Sequence, residues 1–99
     1  MLLKYVEDWF RKNEQELKEK NLRIEHIINH EEKKLEAGLT NEINQNAGSF
    51  EIVEDGGACD VMIIDYSTNQ PLYHNTSYIT NTNDLDKLLH GFIKKVIQL

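Results

Sequence analysis

Two helical stripes enclose a long run of alternating positions in this 99-residue chain. Leu2, Leu3, Val6, Trp9, Phe10 and Leu17 recur at helical spacing with Tyr5 at the stripe's edge, while Lys4, Glu7, Asp8, Arg11, Glu14, Lys18 and Glu19 take the other side. That period predicts one amphipathic helix ending near Lys20 or Asn21. At the far end Leu85, Leu88, Leu89, Phe92, Val96 and Leu99 form a second stripe, flanked by Ile93 and Ile97. Asn81, Thr82 or Asn83 can cap this helix. Asp84 and Asp86 suit its positive dipole end and Lys94 and Lys95 its negative end.

Between the stripes the period falls to two. Leu22, Ile24, His26 and Ile28 alternate as a first strand, and a charged turn follows at His30–Lys34. Leu35, Ala37, Leu39 and Ile43 give a second strand, with Glu36, Thr40 and Glu42 on its reverse. Asn44–Gly48 is dense in turn formers, and Phe50 and Ile52 mark a third strand. Asp55-Gly56-Gly57 supplies positive-φ residues for a tight hairpin. Cys59, Val61 and Ile63 then alternate with Asp60, Met62 and Ile64 in a fourth strand. Ser67–Pro71 reads as a turn, and a weaker edge strand runs from Leu72 toward Tyr78. The expected product is a single α+β domain over residues 1–99. It is an antiparallel meander of four to five strands with N- and C-terminal helices packed on one face, in the order α-β-β-β-β-(β)-α.

Hydrophobic residues at 39% against 28% charged are globular in balance. The lone Cys59 has no internal partner, which fits a reducing compartment. Acids follow the first few residues where a signal peptide would continue its apolar run, and no stretch is long enough to span a membrane. A cytoplasmic protein without membrane attachment is expected.

Charge sharpens the picture. Seven acids (Glu36, Glu42, Glu51, Glu54, Asp55, Asp60 and Asp65) lie between Leu35 and Tyr66 with no Lys or Arg among them, so the formal charge of −6 belongs to the predicted strands. An acidic sheet face repels phosphate backbones and attracts basic protein surfaces. The expected partner is a protein, and nucleic acid is not expected. On the outward positions Glu36, Glu42, Glu51 and Asp60 combine with Val53, Met62 and Ile64, an arrangement read as apolar anchors inside an acidic rim. Tyr5 and Trp9 read as core packing, with a helix-side contact patch as the alternative.

Catalytic and metal chemistry find little support. His26 and His30 have i, i+4 spacing but fall on a strand and its turn, without a third ligand at diagnostic spacing. Cys59 shares its phase with core residues, where a thiol is inert. Glu54, Asp55 and Asp60 gather near one hairpin but lack the dense oxygen-ligand loop of a calcium site, and read as solvated carboxylates. Gly56-Gly57 lies between strands, so it is no phosphate loop. No catalytic residue, metal or cofactor is expected, and the protein is read as a non-enzyme.

The stretch from Gly48 to Asp65 resembles the central hairpin of the bacterial TriTu-type immunity proteins. Its marks are an acidic strand end at Glu54, the turn glycine Gly57, the pair Cys59-Asp60, and an apolar strand closing on Asp65. The opening helix with Trp9-Phe10, the late Leu72-Tyr73 strand and the closing helix fit as well. Val53, where the family often has an aromatic, and Met62, where it often has a charge, depart from the pattern and make the outer face more apolar. The resemblance implies an inhibitor that binds and blocks a cognate toxin inside the producing cell. With the acidic face, it gives Glu36, Glu42, Glu51, Val53, Asp60 and Met62 as the expected contact set for a basic toxin. The alternatives are a non-catalytic interaction module, such as a secretion chaperone or adaptor, and a small enzyme or ligand binder with a concave polar pocket.

Overall fold

The computed structural model describes residues 1–99 and orders the elements α1 (Leu2–Lys12), α2 (Glu14–Glu19), β1 (Leu22–His30), β2 (Lys34–Asn41), β3 (Asn46–Val53), β4 (Ala58–Asp65), β5 (Gln70–Tyr78) and α3 (Thr82–Gln98). Each strand pairs antiparallel with its sequence neighbour, giving one five-stranded sheet in the order β1-β2-β3-β4-β5. The expected α+β meander with helices on one face is borne out. Inward positions of the strands (Leu35, Ala37, Leu39, Phe50, Ile52, Cys59, Val61, Ile63) merge with Leu3, Val6, Phe10, Leu85, Leu89, Phe92 and Val96 into a single core. Phe50 sits between the two helices, its ring centroid 6.3 Å from Phe10 and 5.6 Å from Phe92. The close approach of α3 requires a small residue beneath it: a Cβ on Gly48 would collide with Phe92 and Val96.

The N-terminal stripe is two helices rather than one. Asn13 leaves helical geometry at φ −99°, ψ 7°, and its Nδ2 donates to the Trp9 carbonyl at 2.8 Å. A side chain that competes for backbone acceptors ends α1 there. The chain restarts at once, and the new axis still carries Leu17 into the core.

The phase of β1 also differs. A bulge between Ile24 and His26 adds one residue against β2, so Ile27 faces Ala37 while His26 and Ile28 turn outward. An extra residue flips every side chain beyond it to the other face. β2 ends at Asn41, so Ile43 lies in the following turn, 69% exposed, rather than in the strand. That turn is Glu42–Gln45, and Asn46 through Gly48 already belong to β3. Pro71 likewise belongs to β5, at a bulge where it pairs with Ile64.

The asparagines around the β2–β3 turn fasten α3. Asn41 Nδ2 and Asn46 Nδ2 both donate to the Val96 carbonyl at 3.0 Å, and Asn44 Nδ2 donates to Ile97 O at 2.6 Å. These carbonyls belong to the last turn, where helices lack internal donors. At the other end Asn81 Oδ1 accepts from Asp84 N–H at 2.8 Å, so of the three candidate caps Asn81 is the one used.

Candidate partner-binding face

The three helices lie on the inner side of the sheet and leave its outer side uncovered. Register then decides which outward residues become neighbours. Glu36 lies opposite Glu51, Glu51 opposite Asp60, and Asp60 opposite Thr76, so three carboxylates form one row across β2, β3 and β4. Two residues further along each strand Gly38, Ser49 and Met62 form the next row, ending on His26 and His74. Thr40, Ala47 and Ile64 form a third. Val53 lies on the opposite flank of the carboxylates, against Lys34.

The expected contact set is thus partly assembled. Glu36, Glu51, Asp60 and Met62 are adjacent. Val53 flanks them, while Glu42 sits beyond the end of β2, roughly 25 Å from Lys34 at about 3.3 Å per residue. The acids also run through the middle of the face, between Val53 and Met62, instead of forming a rim around an apolar centre.

Nor are these acids without bases. Lys34 Nζ bridges Glu36 Oε1 at 3.4 Å and Glu51 Oε1 at 3.1 Å, and that pair, Glu51 foremost, holds its ammonium above the usual lysine value. His30 Nε2 stands 3.4 Å from Glu36. Asp60 accepts from the Thr76 hydroxyl at 2.7 Å and contacts His74 Nε2 at 2.7 Å. The Thr76 bond first, and His74 second, hold its carboxyl below the usual range. Arg23 pairs with Glu25 at 2.8 Å and Glu42 at 2.9 Å. Glu25, Glu36, Glu42, Glu51 and Asp60 against Arg23 and Lys34 leave the face three charges negative with its histidines neutral. Lys34 stands one position outside the acidic stretch, and the other bases arrive from β1 and β5 by strand pairing, so a linear charge count passes over them.

Beside the carboxylate row the face sinks into a hollow of about 210 Å³, lined by His26, Gly38, Thr40, Ala47, Ser49 and Met62 among others. Small side chains in register on β2 and β3 create it, and the His26 ring occupies the place a side chain on Gly38 would take. The clue in the sequence was the run of Gly38, Ala47 and Ser49 at outward phase. A larger groove of about 560 Å³ lies elsewhere, between α2, the start of β1 and the β2–β3 turn, with Glu14, Lys18, Arg23 and Glu42 on its walls.

Several hairpin residues have structural duties instead. Glu54 is not a free turn carboxylate: it accepts from the Leu2 and Leu3 amides at 3.2 and 3.3 Å and from the Met1 ammonium at 2.6 Å. It thereby supplies α1 with its N-terminal acceptor across 50 residues of chain. The ammonium foremost, then these amides, hold its carboxyl below the usual range. Asp65 accepts from Ser67 N–H at 2.9 Å and Ser67 Oγ at 2.6 Å, closing β4 with a side-chain turn. Cys59 is 1% exposed, and burial, with Asp60 adjacent, pushes its thiol up to about 12. Such a group stays protonated and packs as a small hydrophobe.

On the helical side the Tyr5 hydroxyl donates to Asp86 at 3.0 Å, and Trp9 stacks edge-on against Phe10 and His90 at 5.2 and 5.6 Å. Both aromatics are half-buried and join α1 to α3. No three His, Cys, Asp or Glu side chains converge as a ligand set, and no helix is long and apolar enough to cross a membrane.

Neither the curated proteins nor the solved structures contain a match to this chain. Residues 4–95 match the family described as Immunity protein TriTu. That span runs from within α1 to the last turn of α3, well beyond the hairpin that carried the resemblance, and the chain belongs to the TriTu immunity protein family.

Proposed function

We propose that this chain is a cytoplasmic, non-catalytic immunity protein that neutralises a cognate toxin by covering it with the outer face of the sheet. The carrying observation is the Glu36–Glu51–Asp60 row on an uncovered face, next to the hollow walled by Met62. The acids steer a basic toxin surface into place, the hollow with Met62 and Ile64 receives its apolar side chains, and Val53 adds an apolar contact on the other flank of the row. Glu42 adds charge at the margin. The three excess negative charges favour a basic partner, because like-charged surfaces would be repelled.

The test pairs this chain with the toxin encoded beside it. Glu51→Lys/Asp60→Lys is expected to keep its fold, since exposed ion pairs contribute only about 0–1 kcal/mol each. It is also expected to slow association by about tenfold or more and to flatten its salt dependence. Thermal melting checks the first outcome; stopped-flow binding and protection of toxin-expressing cells check the second. A folded variant that still protects fully would move the interface to the helices, starting with Tyr5 and Trp9.

A further inference from the structure

The sheet has two edges, and they are guarded very differently. β1 carries Arg23, Glu25 and His30, is kinked by its bulge, and has α2 packed beside it. These are the usual defences of an edge against another strand. β5 has almost none. Its nine residues, Gln70–Tyr78, contain no Asp, Glu, Lys or Arg, and its backbone pairs on one side only, with β4. It also leaves two large side chains in solvent, Leu72 at 41% and Tyr78 at 76%.

The spacing of those two side chains points to what covers them. Asn75 lies midway between Leu72 and Tyr78. Tyr73, Asn75 and Ser77 oppose the buried Ile63, Val61 and Cys59, so His74, Thr76 and Tyr78 project from the outer face, and Leu72 joins them at the bulge. An antiparallel pairing of two β5 strands about a two-fold axis at Asn75 sets Leu72 of each copy against Tyr78 of the other. The same axis sets His74 against Thr76. A surface that complements itself under a two-fold is the requirement for a closed dimer. Each copy carries −6, yet none of that formal charge lies on β5, so the strands can meet without opposing like charges.

We propose that β5 is a homodimerisation edge. Two copies join their five-stranded sheets into one continuous ten-stranded sheet, with Leu72 and Tyr78 covering each other on its outer face. The inference is independent of the toxin-binding role. It also carries the opposite salt signature, because two −6 bodies associate more tightly when their repulsion is screened.

Sedimentation equilibrium of the full chain over a concentration series, at low and high salt, tests it. A monomer–dimer equilibrium that strengthens with salt is expected. Leu72→Lys/Tyr78→Lys, with an unchanged circular dichroism spectrum, should raise the dimer Kd by at least tenfold. Asn75→Cys supplies the register, since directly opposed residues in such a ladder lie about 4.5–5.5 Å apart between Cα atoms, within disulfide reach. It should cross-link under mild oxidation, while Asn29→Cys on β1 should not. A wild-type chain that stays monomeric throughout, with Asn75→Cys cross-linking no faster than Asn29→Cys, would overturn the proposal. Protection of β5 amides from hydrogen exchange only when the toxin is added would overturn it too, assigning the edge to a toxin strand.

Discussion

Gly56 and Gly57 both hold positive φ, at 85° and 67°, but their surroundings differ. A Cβ on Gly56 meets nothing within 4 Å, whereas one on Gly57 would collide with the Ile79 carbonyl, where the chain leaves β5 for α3. The Gly57 carbonyl also accepts from Ile79 N–H at 2.8 Å. Gly57→Ala should therefore cost well over 1 kcal/mol and Gly56→Ala about 1 kcal/mol, a difference visible in urea titrations. Glu54 makes a second case. Glu54→Ala removes the acceptor for the first amides of α1 and should cost about 1 kcal/mol, or roughly 4–8 °C in Tm. Because its folded-state acidity is strengthened, its contribution is present in full above the ordinary glutamate range and fades as pH falls through the lowered folded value. Melting curves of wild type and Glu54→Ala should converge on acidification. The acidic end of the hairpin was visible in the sequence. Its use as a helix cap was not, because it depends on α1 docking some 50 residues away in the chain.

Among the elements, β4 was the most legible. Cys59, Val61 and Ile63 are buried and Asp60, Met62 and Ile64 are half-exposed, as the alternation required. Val61→Asp places an unpaired carboxylate at a site 2% exposed. It should cost several kcal/mol out of a total of about 5–15, abolishing the cooperative melt. β1 was less legible, because Ile27 and Ile28 are both apolar and either phase buries one of them; pairing to β2 chose Ile27. The β1–β2 connection is strained: Glu31 and Glu32 hold φ of 54° and 60°, with Lys33 N–H donating to His30 O at 2.9 Å. Two consecutive positive φ values suit Asn-Gly far better than Glu-Glu. Glu31→Asn/Glu32→Gly should therefore raise stability by about 1 kcal/mol, read from the urea midpoint at constant m.

Across the whole molecule, strand order turns a linear run of acids into a patterned surface. Lys34 neighbours Glu36 along its own strand, but only the meander brings Lys34 against Glu51, His30 against Glu36, His74 against Asp60 and Arg23 against Glu42. A charge count along the chain therefore found the sign of the face and overstated its strength. The same meander has a consequence for the order in which the protein can be made. Every strand pairs with the one synthesised just before it, so the sheet can zip up step by step as the chain emerges, with little loop entropy to overcome. Part of its inner face, however, waits for α3, which supplies Leu85, Leu89, Phe92, Ile93 and Val96 and whose last carbonyls are held by Asn41, Asn44 and Asn46. Until that helix docks, a partly synthesised chain is a finished sheet whose inner face is covered by α1 and α2 alone, with the apolar part beneath α3 bare. A ribosome stalled within the final helix would leave a sticky, aggregation-prone intermediate, whereas the completed chain can close in a single late step.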